Sequence, residues 1–145
     1  MSKTITIING PNLNLLGKRQ PEIYGTDTLE SIAVACTKLC AGTGLTLQMQ
    51  QSNSEGELVT VIQQCRETSG GIIINAGAYS HTSIAIVDAL NMFDGPVLEV
   101  HVSNIYKRES FRHHSHISAG ADGVIAGFGA QGYALATQRM IALLA

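Results

Sequence analysis

Ile72-Ile73-Ile74 follows the pair Gly70-Gly71 and is apolar at every position. Successive side chains of a strand point to opposite faces, so such a run is stable only where both faces are covered. Thr4 to Ile8 is a similarly compact apolar run, Val97 to Val102 reads as the fourth strand with Glu99 and His101 within it, and Gly123 to Ala126 as a short fifth. Continuous apolar strands of this sort belong to buried parallel sheets, whereas antiparallel sheets with one wet face alternate. Leu45 to Gln50 does alternate and reads as a second strand in chain order. Between the strands lie helical patterns, the first from about Leu29 to Ala41 and ended by Gly42 or Gly44. The next covers Glu55 to Thr68, with Leu58, Ile62 and Cys65 on one stripe. Thr82 to Met92 is stopped by Asp94-Gly95-Pro96, and Gln131 to Ala145 closes the chain. Asp27 is placed to cap the first helix, and Ser80 or Thr82 the third. Strand and helix in alternation predict an α/β fold, a three-layer sandwich around a five-stranded parallel sheet with right-handed crossovers.

With 145 residues, 45% of them hydrophobic, the chain is expected to fold as a single domain spanning 1–145 with a real core. A net charge of -2 argues against a general nucleic-acid binder. No apolar run approaches 18 residues and none of the signal-peptide type is found, so a cytoplasmic protein without a membrane segment is expected. Cys36, Cys40 and Cys65 are odd in number and read as core residues in a reducing compartment.

Polar residues gather at the predicted carboxyl ends of the strands: Asn9 and Asn12 after strand one, Ser52 and Asn53 after strand two, Asn75 after strand three, His101 and Ser103 at the end of strand four. Ligands of open parallel sheets bind at that edge, where the strand order reverses. The segment from Gly10 to Gly25 is long for a connection, and it carries Arg19 and Tyr24. A nearby cation lowers a phenol's proton affinity, so the pair is either a base in waiting or a solvated arginine beside an anchoring tyrosine. Glu99 and His101 are two apart and share one face of a strand. A carboxylate there can fix the imidazole's tautomer and make it a general acid, or the pair can be structural. His81 either plays a structural part or, with Asn75, grips ligand hydroxyls. Arg108 and Arg112, four apart, would project together from a helical turn, as a solvated basic face or as a clamp for a carboxylate or hydroxyls. His113, His114 and His116 match no familiar metal spacing, so no metal is expected. Gly127-Phe128-Gly129-Ala130-Gln131-Gly132 resembles a dinucleotide loop only loosely and is expected to pack the last helix on the sheet.

Taken in order, Asn9 to Gly17, Arg19 to Gly25, Gln51 to Glu55, Asn75 to Ser83, Glu99 to Asn104, Arg108 to Ser115 and the Gly-Phe-Gly…Gly-Tyr near the end resemble the type II 3-dehydroquinate dehydratases. The resemblance spans nearly the whole chain. It implies a flavodoxin-like fold, a shikimate-pathway hydro-lyase reaction without cofactor, and a homododecamer built as four trimers. It further implies that Tyr24 removes the C2 proton of 3-dehydroquinate, with Arg19 keeping that phenol ionised. Asn12 would help hold a water at the enolate oxygen, and His101, oriented by Glu99, would protonate the departing C1 hydroxyl. Asn75, His81, Arg112 and the backbone around Val102 and Ser103 would bind the substrate. Arg108 would support a closed lid, and Asp88 would reach a neighbouring subunit's site. Val87, Tyr106 and His116 depart from the residues common in the family, which bears on subunit contacts and the lid.

The alternative is a flavodoxin-like module holding a flavin or nucleotide. It would need a phosphate-cradling loop after strand one, and Gly10-Pro11-Asn12-Leu13-Asn14-Leu15 is too apolar for one. Lys3, Lys18, Lys38 and Lys107 occupy strand starts, loops or a helix surface, so an imine-forming lysine is not expected.

Overall fold

A computed structural model of the chain describes residues 3–18, 20, 22 and 25–145. Among them, five strands form one parallel sheet: β1 (Thr4–Asn9), β2 (Thr46–Gln51), β3 (Gly71–Asn75), β4 (Val97–His101) and β5 (Gly123–Ala126). Their spatial order is β2-β1-β3-β4-β5. This is the doubly wound order in which the chain moves outward from β1 to β2, then returns across β1 to build the other half. The switch point therefore lies between β1 and β3.

The helices α1 (Leu29–Cys40) and α4 (Gln131–Leu144) cover one face, and α2 (Glu55–Thr68) with α3 (Ile84–Asn91) cover the other. Ile72, Ile73 and Ile74 are all fully buried, as a run apolar on both faces requires. Ile73 joins Ile5, Ile7, Cys36 and Met140 on the first face, while Ile72 and Ile74 join Ile8, Leu58, Ile62 and Ile86 on the second. The alternating β2 lies at the sheet edge, where one face is wet. All three cysteines are buried free thiols, and burial pushes each thiol up from its ordinary range. No helix among the described residues is long and apolar enough to cross a membrane.

Two helix starts differ from the sequence expectation. Asp27 does not cap α1. Thr28, directly before the first helical residue, accepts from the Ser31 N–H at 3.1 Å while the Ser31 hydroxyl accepts from the Thr28 N–H at 3.0 Å. This reciprocal box satisfies two orphan donors at once, and Asp27 is left to accept from the Ser31 hydroxyl. The third helix begins at Ile84 rather than Thr82, because a 3-10 turn over Gly77–His81 takes up the approach. Ser83, not Ser80 or Thr82, is its cap and accepts from the Ile86 N–H at 3.0 Å. Arg108 and Arg112 also do not share a helical turn: Arg108 is extended, ending one 3-10 turn (Ile105–Lys107), and Arg112 ends another (Ser110–Arg112).

Candidate active site

A cleft of about 120 Å³ opens beyond the carboxyl ends of β1, β3 and β4, beside the switch point. Its walls come from three loops. Pro11, Asn12, Leu13, Leu15 and Leu16 follow β1, Asn75, Gly77, Ala78 and His81 follow or end β3, and His101 to Ser103, Ile105, Arg108 and Arg112 end or follow β4. The first two loops meet at Gly10. A Cβ there would lie 2.3 Å from the Ala76 carbonyl oxygen, so only glycine permits the approach. The Gly10 N–H donates to the Asn75 carbonyl at 2.8 Å and ties the loops together.

Beneath the cleft floor, the strand ends are joined by a buried polar chain. The Tyr133 hydroxyl of α4 donates to Asn9 Oδ1 at 2.7 Å and accepts from Asn75 Nδ2 at 2.9 Å. Asn9 Nδ2 donates to the Gln50 carbonyl, and Asn75 Oδ1 accepts from the Gly77 N–H at 3.1 Å. The amide of Asn75 is thus fixed from both ends where it enters the cleft wall. Burial pushes the Tyr133 phenol far above its ordinary range, with Asn75 only partly offsetting this, so it stays neutral.

His101 and Glu99 sit on the same face of β4, as their spacing predicted, and both are buried. His101 Nε2 hydrogen-bonds to Glu99 Oε2. The same oxygen accepts from the Ser115 hydroxyl at 2.7 Å, and Oε1 accepts from the Ser118 hydroxyl at 2.6 Å. Burial alone would raise the Glu99 carboxyl, but the donors from His101, Ser118 and Ser115 outweigh it and hold the group below its ordinary value. A carboxylate at Nε2 leaves Nδ1 as the His101 nitrogen available to a ligand. The His81 ring is stacked 6.3 Å from the His101 ring, at 20°. Its Nδ1 donates to the His114 carbonyl at 2.8 Å, which leaves Nε2 for the cleft. Burial holds His81 below its ordinary 6.5, against the pull of that hydrogen bond.

Arg108 and Arg112 reach the cleft from separate turns. Arg112 Nε pairs with Glu109 Oε1 at 3.1 Å, and Arg108 Nη1 lies 3.5 Å from the Ser103 hydroxyl. Asn12 holds the left-handed conformation at φ 70°, which asparagine tolerates well, and its N–H donates to Asn53 Oδ1 at 2.9 Å. Asn53 therefore braces the loop from outside the cleft, whereas the Ser52 hydroxyl donates to Glu57 Oε2 at 2.9 Å. Glu99 stands behind His101 and does not line the wall. Asp88 is exposed on α3, outside this chain's cleft. Arg19 and Tyr24 lie outside the described residues. The Gly127–Gly132 segment packs as expected: Gly127 and Gly129 N–H groups donate to the carbonyls of His101 and Val102, and Gly132 is buried against Ile125 and Val100. His113 donates from Nε2 to the Arg108 carbonyl at 2.9 Å. Among the described residues, no three His, Cys, Asp or Glu side chains converge as a metal site.

Four residues around the site were not singled out from sequence: Ser115, Ser118, Glu109 and Tyr133. The serines act 16 and 19 residues from Glu99, and no local spacing carries such a contact. Glu109 had a signal, since it lies three residues before Arg112. Tyr133 was visible only inside the glycine-rich motif near the end.

A family model described as dehydroquinase class II matches residues 3–141. The chain is 56% identical over 145 residues to a protein of Cereibacter sphaeroides named 3-dehydroquinate dehydratase, covering 100% of this chain and 99% of that one. It is 61% identical over 140 residues to a protein of the same name from Streptomyces avermitilis, covering 96% of this chain and 88% of the other. Among solved structures, the type II dehydroquinase from Propionibacterium acnes matches with a TM-score of 0.90 at 44% identity, covering 98% of each chain. With its sheet order, its cleft and its sequence in agreement, the chain belongs to the class II dehydroquinase family.

Proposed function

We propose that this chain converts 3-dehydroquinate to 3-dehydroshikimate and water through an enolate, without an imine. The single observation that carries the reading is the His101–Glu99 pair: a buried carboxylate fixes one imidazole nitrogen and leaves the other to the cleft. Tyr24, as phenolate kept ionised by Arg19, takes the C2 proton, and the electron pair moves into the ketone to give the enolate. Asn12 holds a water at the enolate oxygen, where preorganised donors act best. The enolate then expels the C1 oxygen, which takes a proton from His101 Nδ1 and leaves as water. The Tyr24 proton and the His101 vacancy are exchanged through solvent, so the cycle closes without net change in the protein.

The other tyrosines are poorly suited to the base. Tyr133 is buried and neutral, Tyr79 donates its hydroxyl to the Asn53 carbonyl at 2.8 Å, and Tyr106 does not line the cleft. Asn75, His81, Arg112 and the Val102–Ser103 backbone bind the substrate's carboxylate and hydroxyls, and Arg108 supports closure. Asp88 serves a neighbouring subunit in a dodecamer of four trimers.

All four lysines are exposed and none lines the cleft, which favours this route over a lysine imine. The test is a direct assay for 3-dehydroshikimate with and without borohydride. Product is expected to form without added cofactor, at a rate that borohydride leaves unchanged. Inactivation by borohydride in the presence of substrate, with a matching mass gain on a lysine, would contradict the proposal.

A further inference from the structure

We propose that Ser115 and Ser118 are positioning residues of this reaction, whose hydroxyls pin the Glu99 carboxylate and thereby set the nitrogen that His101 offers the substrate. The inference rests on His101 as the acid.

Glu99 is 1% exposed, yet its two oxygens accept three donors: His101 Nε2, the Ser115 hydroxyl and the Ser118 hydroxyl. A buried carboxylate facing a single histidine can take the proton from Nε2 itself, giving a neutral acid beside a neutral imidazole and losing its orienting charge. Two further O–H dipoles aimed at the oxygens oppose that transfer, because they stabilise the anion and have nothing to gain from the acid. They also fix the carboxylate plane, so the imidazole cannot turn its Nδ1 away from the cleft.

The stretch that carries the serines orients the second imidazole too. The His114 carbonyl accepts from His81 Nδ1 at 2.8 Å, and the His116 N–H donates to the Ser80 carbonyl at 2.8 Å, fastening the stretch to the turn that bears His81. Residues 114–118 therefore hold both stacked rings, one through a backbone carbonyl and one through Glu99. Other charged or titratable groups facing the pair are His81, Arg108 and Arg112 on the cleft side, and Arg139 of α4 across the small cavity shared with Leu98 and Val124. The variants below leave all of them in place.

The sign follows from the dipoles. Each hydroxyl turns its positive end to the carboxylate, so its removal lets the His101–Glu99 pair hold its protons to higher pH. The experiment compares Ser115→Ala, Ser118→Ala, the double variant and Ser118→Thr in the full chain. Two quantities are read: the imidazole titration of His101 by NMR, and the pH profile of kcat on 3-dehydroquinate. In the double variant the apparent pKa of the pair is expected to rise by about one unit, with kcat falling roughly tenfold or more at the parent's optimum. Ser118→Thr, which keeps a hydroxyl, is expected to hold both readouts at the parent's values, where Ser118→Ala moves them. A folded double variant with the parent's titration and pH–rate profile would overturn the proposal. A shifted titration with an unshifted rate profile would overturn His101 as the acid, and with it the serines' part in the reaction. Should the double variant fail to fold, the single alanine variants set against Ser118→Thr decide the matter on the same two readouts.

Discussion

At the scale of single residues, Tyr133 explains how two of the site's three loops, those after β1 and β3, stay in register. Its phenol oxygen links Asn9 at the end of β1 to Asn75 at the end of β3, positions 124 and 58 residues away in sequence. Tyr133→Phe removes only that oxygen and leaves one acceptor and one donor buried and short of a partner. The expected cost is about 1–3 kcal/mol of stability, read by urea denaturation, with KM rising more than the fold is weakened. An unchanged midpoint and KM would show that the link is idle. Glu99 and His101 were legible from sequence because two residues apart on a strand means one shared face. Ser115, Ser118 and Tyr133 were not, because their contacts are made by the closing of the fold and by no local period. The departures Tyr106 and His116 were legible only as differences: Tyr106 is 62% exposed, and the His116 ring lies edge-on to His114 at 4.8 Å.

Among the elements, the parallel strands were the most readable, since a run such as Ile72-Ile73-Ile74 has no stable place except between two covered faces. The second helix followed from its stripe of Leu58, Ile62 and Cys65, and the first and third from the glycines and the Asp94-Gly95-Pro96 stop that end them. Their starts were harder, because a cap is decided by which hydroxyl reaches which N–H, and Thr28 and Ser83 each stand one residue from the position expected. The stretch after β4 was the least legible. It holds three 3-10 turns, Ile105–Lys107, Ser110–Arg112 and Ile117–Gly120, each too short to show a period. That stretch nevertheless supplies two arginines to the cleft wall, the Glu99 partners and the His81 acceptor. A piece of chain that reads as punctuation in sequence is here the frame of the site.

For the molecule as a whole, the surface retains large apolar groups that one copy does not cover. Tyr106, Phe111 and Phe128 are each more than 60% exposed, on the loops around the cleft rim and the start of α4. Exposed apolar side chains of this size are apt to be buried against another copy of the chain, as the proposed assembly of twelve would allow. Sedimentation equilibrium at micromolar concentration is expected to give the dodecamer, and a single species the mass of one chain would contradict it. The catalytic account itself is tested most directly by the turnover of His101→Ala on saturating 3-dehydroquinate, with thermal unfolding followed alongside. A lost general acid predicts a fall in kcat of roughly 100-fold to 10,000-fold in a protein that still folds. A well-folded variant turning over within a few-fold of the parent would contradict it.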